Sequence, residues 1–263
     1  MQRLHFSLDS VDTEGSAPSK EEANQSNFLH FLVLQCTVAL LLGGALVSAW
    51  TAISQTSYGA ALSSAVCGVA FIHYVLILSE RMKQQTEDSN NRVSGYRLAD
   101  WLATMPLLAL ETLHLARDGP KPLSPFLNSA YIPTAVAATA FTMIMCGVLA
   151  VAGTQRFSVS TGGSCLATTY RWTLYSIGVL LLGVLYTILF ITAIDSESVH
   201  MTEVFGFSLL WSVYPLITAL EAVLGDTPIV DALYAAADVS SKVFLSIYSV
   251  VIAYGVQHAA PRP

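Results

Sequence analysis

Asp238-Val-Ser-Ser-Lys242 sets a carboxylate and a primary amine four residues apart, deep in a long apolar segment near the C-terminus. On a helix that spacing puts both groups on one face. A lysine at membrane depth is expensive to carry, which makes Lys242 a candidate functional residue; the plain alternative is an ion pair that only holds two helices together. A buried amine can also condense with an aldehyde, and the protonated Schiff base so formed needs a carboxylate counterion. Any event that weakened the nitrogen's hold on its proton would pass that proton to the nearer carboxylate.

A second set of candidates runs along Tyr96 to Glu111. At 100° per residue, Arg97, Asp100, Thr104, Leu108 and Glu111 form one stripe. Asp100 and Glu111 stand about three turns, or roughly 16 Å, apart along the axis. A carboxylate near each end of one face suits a proton received at one level and resupplied from another. Arg97 and Glu111 could instead simply mark the helix ends at the two interfaces. Because hydrocarbon penalises each charge, Lys242, Asp238, Asp100 and Arg97 are expected to form one mutually compensating cluster inside a helix bundle.

The elements that must position these groups follow from composition. The 263 residues are 54% hydrophobic and 11% charged, with a mean hydropathy of +0.57, whereas soluble domains are about 25% charged. The chain therefore reads as an all-α integral membrane protein in the lipid bilayer. Spans of about 20 apolar residues fall at 28–50, 58–80, 97–116, 127–152, 171–194, 203–224 and 229–256. This predicts a seven-transmembrane-helix bundle over 28–256, preceded by a disordered polar tail at 1–27 and followed by a short tail at 257–263. The first tail lacks the basic start and short apolar core of a secretory signal. Longer connections are expected at 81–95 and in the Ser/Gly/Thr-rich stretch 153–169.

Several classes drop out. The net charge of −6 argues against a nucleic-acid partner. Cys36, Cys67, Cys146 and Cys165 show neither metal-ligand spacing nor a disulfide framework, and no metal site is expected. No Gly-rich phosphate loop is visible.

Arg97-Leu-Ala-Asp100-Trp101 with Thr104, Pro106 and Glu111, then Trp211-Ser-Val-Tyr214-Pro215, then Asp238-Val-Ser-Ser-Lys242 closely resembles the microbial (type I) rhodopsins, in the family's order and over all seven spans. The resemblance implies a bundle with all-trans retinal in its core, bound to Lys242 as a Schiff base. It implies that Asp100 is primary proton acceptor and counterion, Asp238 second counterion, and Arg97 a tuner of that pair from the extracellular side. Thr104 would hydrogen-bond Asp100, and Glu111 would be the cytoplasmic proton donor. Trp101, Trp211, Tyr214 and Pro215 would line the retinal pocket, while Trp172 and Tyr175 are read as ordinary packing aromatics.

The Asp100, Thr104, Glu111 triplet matches the proteorhodopsin-like outward proton pumps and disfavours the family's sodium and chloride pumps. His73 matches the histidine that proteorhodopsins pair with the acceptor aspartate, although a lone histidine on an apolar helix is often a satisfied core residue. Tyr74 would hydrogen-bond Asp238 together with Tyr214. Leu108 stands where proteorhodopsins use Leu for green absorption. For proton release, Asp231, Tyr234, Glu221 and Asp226 are all candidates, with solvated loop carboxylates as the commoner case. The family's orientation, N-terminus outside, leaves only Arg117, Lys121 and Arg262 in cytoplasmic segments, against the positive-inside rule.

The resulting expectation is a light-driven outward proton pump, not an enzyme, with retinal and transported protons as its partners and a homo-oligomer compatible with it. The alternative is a photosensory rhodopsin signalling to a separate transducer, for which no output domain is visible in these residues.

Overall fold

The computed structural model describes residues 20–84, 93–161, 164–224 and 227–259, and every regular element among them is helical. The helices are α1 (Lys20–Gln55), α2 (Tyr58–Gln84), α3 (Val93–Arg117), α4 (Tyr131–Thr161), α5 (Ser164–Ser196) and α6 (Met201–Leu224). The seventh rod starts as α7 (Pro228–Asp238), passes through a π-helical turn (Val239–Val243) and continues as α8 (Phe244–Ala259). Thr227 caps α7 by accepting a hydrogen bond from the Val230 amide at 3.4 Å, and Pro228 fits the first turn, where its missing N–H has no partner to lose.

Six of the rods carry stretches long and apolar enough to cross a membrane: Phe31–Gln55, Tyr58–Met82, Tyr131–Ala150, Thr168–Ser196, Met201–Glu221 and Ile229–Gly255. The seventh expected span, on α3, does not reach that apolarity, because Arg97, Asp100 and Glu111 lie within it. It is covered instead by protein, packing against α2, α4, α5 and α6. Charged side chains inside a membrane protein face the bundle interior, and α3 carries its charges there: Arg97, Asp100 and Glu111 are all buried. Trp50, Ile53, Leu180, Ile194 and Leu216 point outward and exposed, an apolar rim that suits lipid. The chain is a multi-pass integral membrane protein.

Three boundaries differ from the sequence expectation. The fourth span does not begin at Leu127: that segment turns, and the helix starts at Tyr131. Most of the stretch 153–169 is helical, since α4 continues to Thr161 and α5 begins at Ser164. Once a helix is nucleated each further residue adds a hydrogen bond, so a polar, weakly helix-forming stretch can extend an established rod. At the N-terminal end α1 begins at Lys20, inside the segment read as tail. Residues 1–19 and 260–263, most of the 81–95 connection, and Asp226 lie outside the described residues.

The end of α3 is tied to the α5–α6 turn. Ser196 Oγ donates to the Ala116 carbonyl and Ser198 Oγ to that of Leu115, each at 2.7 Å. The Lys121 amide reaches the Ser196 carbonyl, and the Val199 amide reaches that of Asp118. Gly119 sits so close that a Cβ there would lie 2.0 Å from the Ser196 carbonyl oxygen. Glu197 adopts φ 53 to turn the chain beneath it.

Candidate functional site

Lys242 lies in the π-helical turn, fully buried. Its Nζ stands 2.5 Å from Asp100 Oδ2 and 3.0 Å from Asp238 Oδ1. The two carboxylates come from α3 and the seventh rod, and both are buried. The surroundings of the pair are unequal. Asp238 accepts from Tyr74 Oη at 2.6 Å through Oδ2 and from Tyr214 Oη at 2.8 Å through Oδ1. Asp100 meets the lysine through one oxygen, and its Oδ1 has no hydrogen-bond partner.

Single π-helical turns inside α-helices are frequent at functional sites. The Lys242 carbonyl here accepts from Cys67 Sγ at 3.7 Å. Ser241, in the same turn, shares a 2.8 Å contact with Tyr214 Oη. The turn thus places both the amine and the residues around it.

Glu111 stands three turns along α3 from Asp100, roughly 16 Å away. Its Oε1 accepts from Ser249 Oγ at 2.5 Å and from Ser63 Oγ. Its Oε2 has no hydrogen-bond partner, and no cation pairs with it among the described residues. Ser63 and Ser249 are neighbours of Glu111 that sequence reading missed: a serine in an apolar span carries no signal until the helix facing it is known.

Three expectations are refined. Arg97 does not join the lysine cluster. It pairs with Asp231, which also pairs with Arg81, and its guanidinium carbon lies 4.3 Å from the centroid of the Tyr234 ring. Arg97 lies one turn from Asp100 on α3 and Asp231 two turns from Asp238 on α7, so the long arginine finds its carboxylate a layer farther out. His73 does not hydrogen-bond Asp100 among the described residues; its Nδ1 is 2.9 Å from the Val69 carbonyl of its own helix. Neighbouring residues on a helix diverge by about 100°, and it is Tyr74 that is aimed at the centre. The Thr104 hydroxyl donates to the Asp100 backbone carbonyl at 2.9 Å, not to its carboxylate.

Beside this centre is a cavity of about 140 Å³ whose walls include Trp101, Met105, Met143, Trp211, Tyr214 and Pro215. Tyr175, read from sequence as packing, also lines it and donates to the Pro215 carbonyl at 2.9 Å. Leu108 is fully buried in the same packed cluster as Trp101 and Trp211 but is not among the cavity walls. Because Tyr214 both lines the cavity and hydrogen-bonds Asp238, the apolar space ends one side chain from Lys242.

The model of the bacteriorhodopsin-like protein family matches residues 27–257. The chain belongs to the bacteriorhodopsin-like proteins. Solved rhodopsins share the fold of this one at low identity. Thermophilic rhodopsin is 18% identical at a TM-score of 0.70, over 90% of this chain and 97% of that one. Xanthorhodopsin, a light-driven ion pump with dual chromophore, is 21% identical at 0.67, over 89% and 95%. A light-driven proton pump from Leptosphaeria maculans is 16% identical at 0.64, over 86% and 96%. No curated protein matches this rhodopsin in sequence. Family membership implies a retinal chromophore. The residues present fit one: a buried primary amine flanked by carboxylates, with an aromatic and methionine-lined slot ending one side chain from it.

Proposed function

We propose that this rhodopsin is a light-driven outward proton pump, with all-trans retinal held on Lys242 between Trp101, Trp211, Tyr214 and Pro215. Retinal bound to Lys242 would supply light absorption and the change of shape that reorients the lysine nitrogen. Everything else falls to the chain's own side chains.

Asp100 takes the proton from Lys242 Nζ. It is the nearer carboxylate, at 2.5 Å, and its Oδ1 is without a partner, so one oxygen is open to a proton. Asp238 has its oxygens engaged by Tyr74, Tyr214 and Lys242, and acts as second counterion. Arg97, held outward by Asp231, leaves the inner carboxylates to the lysine. Glu111 returns a proton to the nitrogen. A buried carboxyl with hydroxyl partners and no cation is suited to carry a proton rather than a charge, and its open Oε2 is the atom to hold it. Thr104 braces the α3 backbone between the two. His73 is retained as a nearby tuner of Asp100 through space.

The observation that carries this reading is the placement of Asp100 against Lys242 and of Glu111 farther along the same helix, each buried and each with one free oxygen. Outward transport requires Glu111 to face the cytoplasm, which puts the N-terminus outside. Asp100→Asn is expected to shift absorption to longer wavelength, since the charge on the lysine nitrogen loses its nearest anion, and to abolish pumping in illuminated vesicles. Normal pumping by that variant would defeat the assignment.

A further inference from the structure

Toward the end of the bundle that holds Glu111, two histidines are in opposite circumstances. His200, just before α6, has both ring nitrogens engaged: Nε2 stands 3.0 Å from Asp118 Oδ2 and Nδ1 2.8 Å from Tyr248 Oη. His114 is exposed, and neither of its nitrogens has a hydrogen-bond partner among the described residues. It lies three residues beyond Glu111 on α3, on the same face, and its ring stands edge-on to Tyr58 with centroids 5.7 Å apart. Tyr58 opens α2 and is itself exposed, so the imidazole sits at the level where the chain leaves the apolar spans. The next residue, Gly59, is buried. A Cβ there would lie 3.6 Å from Ser249 Oγ and 3.8 Å from His114 Cδ2. The imidazole and the hydroxyl therefore border one small space, kept clear because residue 59 has no side chain. Ser249 Oγ in turn donates to Glu111 Oε1 at 2.5 Å, and Glu111 Oε2 is buried without a partner. A ring open to the medium thus stands one hydroxyl and one narrow gap from a carboxyl that is closed to it.

Resting on the reading as an outward pump, we infer that His114 takes the proton from the cytoplasmic medium and hands it, by way of Ser249, to Glu111, and that glycine at position 59 keeps the passage between them open. Once Glu111 has given its proton to Lys242 it is a buried carboxylate with no cation paired to it among the described residues, a state that burial disfavours. It therefore draws a proton inward. Imidazole gains and loses a proton readily near neutral pH, and it offers one nitrogen to accept and another to donate. A proton from bulk water adds to the open nitrogen of His114. The imidazolium N–H bond then breaks toward Ser249, through bridging water beside Gly59, while the Ser249 hydroxyl proton passes to Glu111. Ser249 ends with its hydroxyl restored, His114 neutral and Glu111 protonated, so one proton enters per cycle. In the packing alternative His114 only closes the C-terminal end of α3 against Tyr58, and the imidazole has no part in the timing of uptake.

The test is flash-induced proton uptake by the retinal-loaded full chain in lipid vesicles, followed with a pH-sensitive dye on the side that Glu111 faces, alongside the return of the proton to Lys242 read from the late photocycle. In His114→Ala, uptake should slow by about 100-fold, while the absorption maximum and the transfer from Glu111 to Lys242 after a single flash stay as they were. Free imidazole added to the medium should restore the uptake rate. Gly59→Ala, whose methyl fits at ordinary contact distances, should also slow uptake, and imidazole should not restore it, because the carrier is present and the passage is filled. Uptake at the unaltered rate in a coloured His114→Ala protein overturns the inference and leaves the pump intact. Slowed uptake that imidazole does not restore overturns it too, by showing the side chain to be packing. Unchanged uptake in Gly59→Ala overturns it independently, including when His114→Ala forms no pigment. An unaltered protein that takes up no proton on that side overturns the pump reading and this inference with it.

Discussion

Asp100 and Asp238 present the same functional group to one amine, and their hydrogen bonds are what set them apart. Two phenols and the lysine occupy Asp238, whereas Asp100 keeps an open oxygen. Tyr74→Phe should therefore narrow the difference by stripping a donor from Asp238, with a loss of about 1.5–3 kcal/mol of stability visible as a lower thermal bleaching midpoint. At the other proton site, Glu111→Gln should keep colour and the first proton transfer while slowing the return of the proton to Lys242 by about 100-fold, measured as a prolonged late photocycle. A late photocycle unchanged in rate would remove Glu111 from the donor role. Asp231→Ala should cost about 3–5 kcal/mol, because it removes the carboxylate paired with the buried Arg97, again read from bleaching. At this scale the sequence was legible where a residue type is costly in lipid: Lys242, Asp238, Asp100 and Glu111 announce themselves. Ser63, Ser249 and the Arg81–Asp231–Arg97 arrangement do not, since each depends on which distant helix lies opposite. Arg97 was expected beside the lysine for the same reason: charge balance predicts that it needs an anion but not which one.

At the scale of elements, apolar runs mark the helices well and mark their ends poorly. The rods α4 and α5 take in most of a Ser/Gly/Thr-rich stretch that composition alone reads as a connection. The π-helical turn at Val239–Val243 has no signature in Val-Ser-Ser-Lys-Val, yet Lys242 lies within it. α3 is the least apolar rod and carries Arg97, Asp100 and Glu111, and it is placed by its neighbours and by the clasp between its C-terminal end and the α5–α6 turn. Gly119→Ala tests that clasp. The new methyl would meet a backbone carbonyl at 2.0 Å, so the loop must move, at a cost of about 1–3 kcal/mol. Thermal bleaching should begin at lower temperature while the absorption maximum stays fixed, because the lysine centre lies elsewhere; an unchanged midpoint would show the clasp to be unimportant for stability.

For the whole molecule, α3 packs against four neighbouring rods, and the proposed proton sites follow its length: Glu111 toward one end, Asp100 against Lys242 in the middle, Arg97 toward the other with Tyr234 and Glu221 beyond it. That order gives the molecule a direction, but its sense in the membrane is the feature that composition reads least well, since the basic residues favour the opposite topology. The measurement that bears most directly on the central claim is the external pH of illuminated cells expressing the chain with added all-trans retinal, with and without a protonophore. Acidification that the protonophore abolishes is the predicted result. Alkalinisation would contradict outward transport, and a coloured protein that leaves external pH unmoved would contradict pumping and favour a photosensor.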